Sequence, residues 1–140
     1  MADRKTEIDL LAMKLADRVG DDTFLAACDD FVEAVEERPN AVDALPLIFR
    51  LFEAHPKVYF GDPGPLAHFA ENFFQHGYEE QLYQSLRRRP TPHTVWLLNR
   101  IINGQEGDAR RRSLDVLDAV IAQIPDAEVK AAAIGFRALH

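Results

Sequence analysis

Apolar residues recur at three- and four-residue steps along this chain, and no segment alternates as a strand does. Ile8, Leu11 and Leu15 make one stripe of a helix expected from about Thr6 to Arg18 and ended by Gly20. Asp22 or Thr23 caps a second helix, closed by Pro39, in which Leu25, Cys28, Val32 and Val35 share a face while Asp29, Asp30, Glu33 and Glu37 point away. Asn40 or Asp43 caps a third, with Pro46 in its first turn and Leu47, Ile48, Leu51 and Phe52 on its buried side. A fourth is expected over about Pro65 to Gln75. A fifth covers Glu79 to Arg88, with Leu82, Tyr83 and Leu86 inward. Thr91-Pro92 is a strong start signal, an N-cap threonine before a proline at the first helical position. It opens a sixth helix that carries Val95, Trp96, Leu98, Ile101 and Ile102 and ends in a left-handed cap at Asn103-Gly104. Asp108 opens a seventh. Asp126 caps the last, with Val129, Ala132, Ala133, Phe136 and Leu139 inward.

Eight short helices with short links predict an all-α fold: one domain over residues 1–140, with helices in stacked antiparallel pairs as a HEAT-like α-solenoid or an irregular helical bundle. A hydrophobic fraction of 47% is enough for a core without a metal or disulfide. Cys28 is the one cysteine, which fits a reducing cytoplasm. The opening MADRKTEIDLLAMKLADRVG reads as neither a leader nor a membrane span, since no apolar run approaches about 18 residues. The break between the third and fourth helices is FGDPGPLAHF, in which Gly61, Pro63, Gly64 and Pro65 interrupt any helix. Asp62-Pro63 reads as an N-cap and first helical position, and Gly64-Pro65 as a second start one turn on.

Charge is unevenly spread. The net charge of −7 disfavours nucleic acid as a direct ligand, because phosphate binding needs a basic footprint. From Asp21 to Asp43, eight acids (Asp21, Asp22, Asp29, Asp30, Glu33, Glu36, Glu37 and Asp43) face a single base, Arg38. The arginines gather later, in Arg87-Arg88-Arg89, Arg100 and Arg110-Arg111-Arg112. The first cluster complements the C-terminal dipole of its helix. The second lies near a helix start, where the dipole does not favour it, and is the better candidate for ion pairs or a ligand. The acidic second helix is a solubility surface or a docking face for a basic partner, whose approach a complementary potential accelerates.

Catalytic signatures are missing. His68 and Glu71 supply one ligand pair at i, i+3 where a di-iron bundle needs two, so a polar pair is the expectation and no metal or cofactor is implied. No nucleophile elbow, zinc-protease helix or phosphate loop is present, and the expectation is a non-enzyme. A catalytic use of His68, Glu71, His93 and Asn99 would require them to converge in one pocket. Asn99 and Asn103 lie at i, i+4 beside Trp96 and Arg100, and Asn99, with Arg100, is expected to hydrogen-bond the corner around Asp62-Pro63-Gly64.

The segment from Gly61 to Gly104 combines an entry G-x-P-G-P-L-x-H-F-x-E with a later R-x-P-T-x-x-T-x-W-x-L-N-R-x-x-N. Gly61, Pro63, Gly64, Pro65, Leu66, His68, Phe69 and Glu71 carry the first part. Arg88, Pro90, Thr91, Thr94, Trp96, Leu98, Asn99, Arg100 and Asn103 carry the second. This pattern resembles small helical bacterial immunity proteins of polymorphic and contact-dependent toxin systems. The resemblance implies a non-enzymatic cytoplasmic protein that binds and neutralises a cognate toxin, for which a basic nuclease domain suits the charge. It also implies a division of labour, with the matched motif as scaffold and Asp29, Asp30, Glu33, Glu36 and Glu37 choosing the partner. The alternative from another class is a cytoplasmic helical adaptor that holds another protein or a peptide.

Overall fold

In the computed structural model the chain is all-α. It describes the backbone of residues 4–140 and the side chains of residues 7–140, so the first three residues of the stretch read for a leader lie outside it. Helix makes up 72% of the described residues, with no strand among them. The helices are α1 (Arg4–Ala16), α2 (Phe24–Glu36), α3 (Ala44–Ala54), α4 (Pro65–Glu71), α5 (Tyr78–Arg88), α6 (Pro92–Gly104), α7 (Gly107–Gln123) and α8 (Ala127–Arg137), with a 3-10 turn at Ala41–Asp43 leading into α3. None of the described helices is long and apolar enough to cross a membrane.

The chain forms two compact units, Met1–Gln81 and Leu82–His140. In the first, α1 packs on α2 and α3, and α2 packs on α4. Its core is aromatic: Phe60 meets Phe52 at 4.8 Å and Phe24 at 5.7 Å between ring centroids, and Phe49 meets Tyr78 at 5.9 Å. In the second, α6, α7 and α8 pack on one another around Leu98, Ile102, Leu117 and Ala133. A buried hydroxyl pair, Tyr83 Oη to Ser113 Oγ at 2.6 Å, ties α5 to α7. An Arg137–Asp118 ion pair at 2.8 Å ties α8 to α7.

Several local expectations are corrected by competing contacts. The buried face of α2 is Phe24, Ala27, Cys28, Phe31 and Val35, so Leu25 and Val32 are half-buried flanks rather than its centre. The side chain that satisfies the start of α2 is Asp21, whose Oδ1 accepts from the Thr23 N–H and hydroxyl at 2.8 Å each; Asp22 and Thr23 do not cap by side chain. Neither Asn40 nor Asp43 caps α3 through its side chain, because the 3-10 turn winds directly into it. α4 stops at Glu71, and the chain passes through turns with Gln75 and Gly77 at positive φ. Gly104 is not left-handed; α6 runs into extended Gln105 and the positive φ falls at Gly107. Leu139 is 71% exposed, beyond the last buried turn of α8. The start of α6 is as expected, with Thr91 and Thr94 forming a reciprocal capping box at 3.0 and 3.1 Å.

Candidate functional site

The acidic surface follows from the register of α2. Burial of Phe24, Ala27, Cys28, Phe31 and Val35 fixes which way the helix faces. At 3.6 residues per turn, Asp29, Asp30, Glu33, Glu36 and Glu37 then fall within a sector of about 120° directly opposite the buried stripe. All five are exposed, and none has an ion-pair partner among the described residues. The one base in the segment, Arg38, is engaged elsewhere: it pairs with Glu7 of α1, and its Nε donates to the Ala34 carbonyl at 3.2 Å, closing the end of α2. Asp21 is bound to Arg18 at 3.2 Å, and the Thr23 N–H foremost, with the Thr23 hydroxyl and Arg18, holds its carboxyl below the usual range. With no cation paired to them among the described residues, the five carboxylates of the sector project their potential into solvent, where the Debye length is about 8 Å at physiological salt.

The glycine–proline corner is built differently. Gly61 and Gly64 both have positive φ, 106° and 91°, around a cis Asp62-Pro63 bond. A Cβ on Gly61 would lie 2.3 Å from the Gly64 Cα, and one on Gly64 would lie 1.8 Å from the Phe60 carbonyl oxygen. The two glycines therefore close the turn on itself and leave no space for a ligand between them. Phe60, Gly61 and Pro63 are buried, and Phe60 plugs the aromatic core. Asp62 is not the expected N-cap. Its Oδ2 accepts from the Tyr59 hydroxyl at 2.6 Å, which raises the Tyr59 pKa, and the helix begins at Pro65, as the second start signal indicated. His68 is exposed and sits 3.7 Å from Glu71 on the same helix, the polar pair expected there.

The matched residues of α6 have local partners. Arg100 lies over the Trp96 ring at 5.8 Å, and His93 meets the same ring edge-on at 5.9 Å. Asn103 is exposed. Asn99 is buried, as expected, but its partner is a correction: its Oδ1 meets His140 Nε2 at 2.8 Å rather than the corner. Arg110 fixes the tautomer of that imidazole. A guanidinium can only donate, and its Nη2 lies 3.1 Å from His140 Nδ1, so Nδ1 accepts and Nε2–H donates to Asn99. Arg110 Nη1 also donates to the Ile102 carbonyl at 3.1 Å, satisfying the end of α6 in place of the expected left-handed glycine. Loss of water, then the charges of Arg110 and Arg137, lower the His140 pKa.

Sequence reasoning missed the roles of Arg110, Ser113 and His140, which join residues far apart in the chain; the arginine cluster at a helix start was the signal available. Its other members are also engaged, Arg111 with Asp108 at 2.9 Å and Arg112 over the Tyr83 ring at 5.0 Å. His68, Glu71, His93 and Asn99 thus each have a neighbour close by in their own helix or unit. Among the described residues no three His, Cys, Asp or Glu side chains gather to hold a metal. Compared with protein-family models, curated proteins and solved structures, the chain matches none.

Proposed function

We propose that this chain is a non-catalytic binding protein, an immunity protein that neutralises a cognate bacterial toxin through the acidic face of α2. The observation that carries the reading is the sector of Asp29, Asp30, Glu33, Glu36 and Glu37, held outward by a helix whose other side is fully committed to the core. A toxin domain with a basic cleft, as a nuclease needs for its own substrate, is the complementary surface. Such a partner would be captured in the cytoplasm, where Cys28 stays reduced. The corner and the Trp96–Asn103 helix act as scaffold in this reading, in keeping with the closed geometry of Gly61–Gly64 and the local pairing of Asn99.

The test is binding to any basic toxin domain encoded beside this chain. Asp30→Lys with Glu33→Lys should slow association and weaken the complex by more than about tenfold at moderate salt, with the loss shrinking as salt is raised. Unchanged affinity in the doubly reversed protein would move the interface off α2. Absence of any complex with the wild-type chain would overturn the proposal.

A further inference from the structure

A groove of about 400 Å³ opens on the first unit. One wall is α1, where Asp9, Ala12, Met13 and Ala16 repeat at i, i+3, i+4 and i+7. The other is α3, whose Leu47 and Leu51 line the groove, with Arg50 among the lining residues. These two leucines are apolar positions expected in the core, yet both are only half-buried. Beside them Met13, which also lines the groove, is 63% exposed. One face thus carries both a hollow and a protruding apolar side chain, which singly are ordinary but together mark a contact surface.

We propose that this face is a two-fold interface between two copies of the chain, with α1 of each lying over α3 of the other. The charges on the walls identify the second copy as the occupant. The α1 wall carries an acid, Asp9, and the α3 wall a base, Arg50. Within its own helix Arg50 reaches Glu53 only at 3.8 Å, and its side chain stays 63% exposed, open to a second carboxylate. A half-turn about an axis lying along the groove, in the plane of contact, sets each α1 wall over the other copy's α3 wall, so each copy's Asp9 side meets the other's Arg50 side, twice over. The same rotation brings each Met13 over the other copy's Leu47 and Leu51. The net charge of −7 opposes self-association in general. Here its densest source is turned away: Phe31, which lines the groove, is on the side of α2 opposite the acidic sector. The dimer leaves both acidic faces in solvent, and the inference stands whether or not those faces bind a toxin.

Sedimentation velocity of the full chain over a concentration series tests this. The wild type should shift toward twice the monomer mass as concentration rises. Asp9→Arg and Arg50→Glu should each weaken the dimer by more than about tenfold, since each sets like charges together at two places. An equimolar mixture of the two variants should dimerise again. In the mixed pair the arginine introduced in one variant faces the glutamate introduced in the other, and the unaltered Arg50 faces the unaltered Asp9. A folding defect in either variant could not produce that recovery. A wild-type chain that stays monomeric, or a mixture no better than either variant alone, overturns the proposal. So does a Met13→Glu chain that dimerises as the wild type does. A chain that is monomeric but takes up a hydrophobic peptide or amphiphile in the groove also overturns it.

Discussion

Asn99 shows how one buried amide can anchor the segment that follows α8. It is 7% exposed, and its carbonyl is the acceptor for the His140 Nε2–H. Replacing it with leucine fills a similar volume but strands that N–H near the core. Asn99→Leu should cost about 1–2 kcal/mol in urea unfolding, and a loss of only a few tenths would mean that water replaces the amide. The same contact sets a pH dependence. Folding lowers the His140 pKa below its ordinary 6.5, so the folded chain binds fewer protons than the unfolded one. The contribution is complete above the unfolded value and fades as pH falls through the folded one, when a protonated Nδ1 can no longer accept from Arg110. The thermal midpoint of the wild type should therefore drop more between pH about 7.5 and about 5 than that of His140→Gln, which has no proton to gain.

At the scale of elements, the two kinds of glycine in this chain make opposite predictions. Gly64 has positive φ and no room for a Cβ beside the Phe60 carbonyl, whereas Gly135, within α8, has nothing within 4 Å of an added Cβ. Gly64→Ala should destabilise by about 3 kcal/mol or more, from backbone strain and displacement of a buried ring. Gly135→Ala should stabilise by up to about 1 kcal/mol, the ordinary helix-propensity difference. Thermal unfolding of the two variants checks both signs. The helices themselves were legible because apolar spacing, the Thr91-Pro92 start and the Asp126 cap are all written within a few residues; Asp126 indeed accepts from the N–H groups of Glu128 and Val129 at 2.9 and 3.0 Å. What misled were residues with two local uses. Asp62 could cap a helix or bind Tyr59, and Asp21 outcompeted its two neighbours for the start of α2. The acidic residues, Glu36 among them, were legible in the sequence, and the burial of Phe31 and Val35 fixes the register that sets them in one sector. The Asn99 partner was not legible, since contacts such as His140 to Asn99 and Tyr83 to Ser113 leave no periodic trace in the sequence.

At the scale of the whole molecule, the boundary between the two units falls inside α5 rather than in a linker. Tyr78 at its start packs on Phe49 in the first unit, and Tyr83 one turn later bonds Ser113 in the second. The single cysteine belongs to the first unit and the single tryptophan to the second, so the unmodified chain carries one spectroscopic or chemical reporter for each. Burial, with the neighbouring Asp29 charge, pushes the Cys28 thiol up to about 12, so a thiol reagent labels it only when the first unit opens. Trp96, half-buried against Arg100 and His93, changes its emission when the second unit opens. A helix shared by both makes coincident urea transitions the expected result, and two separated midpoints would show that α5 can fray at its centre. The same pair of signals in one sample would reveal which unit a bound protein protects, without a tag, a label or a mutation.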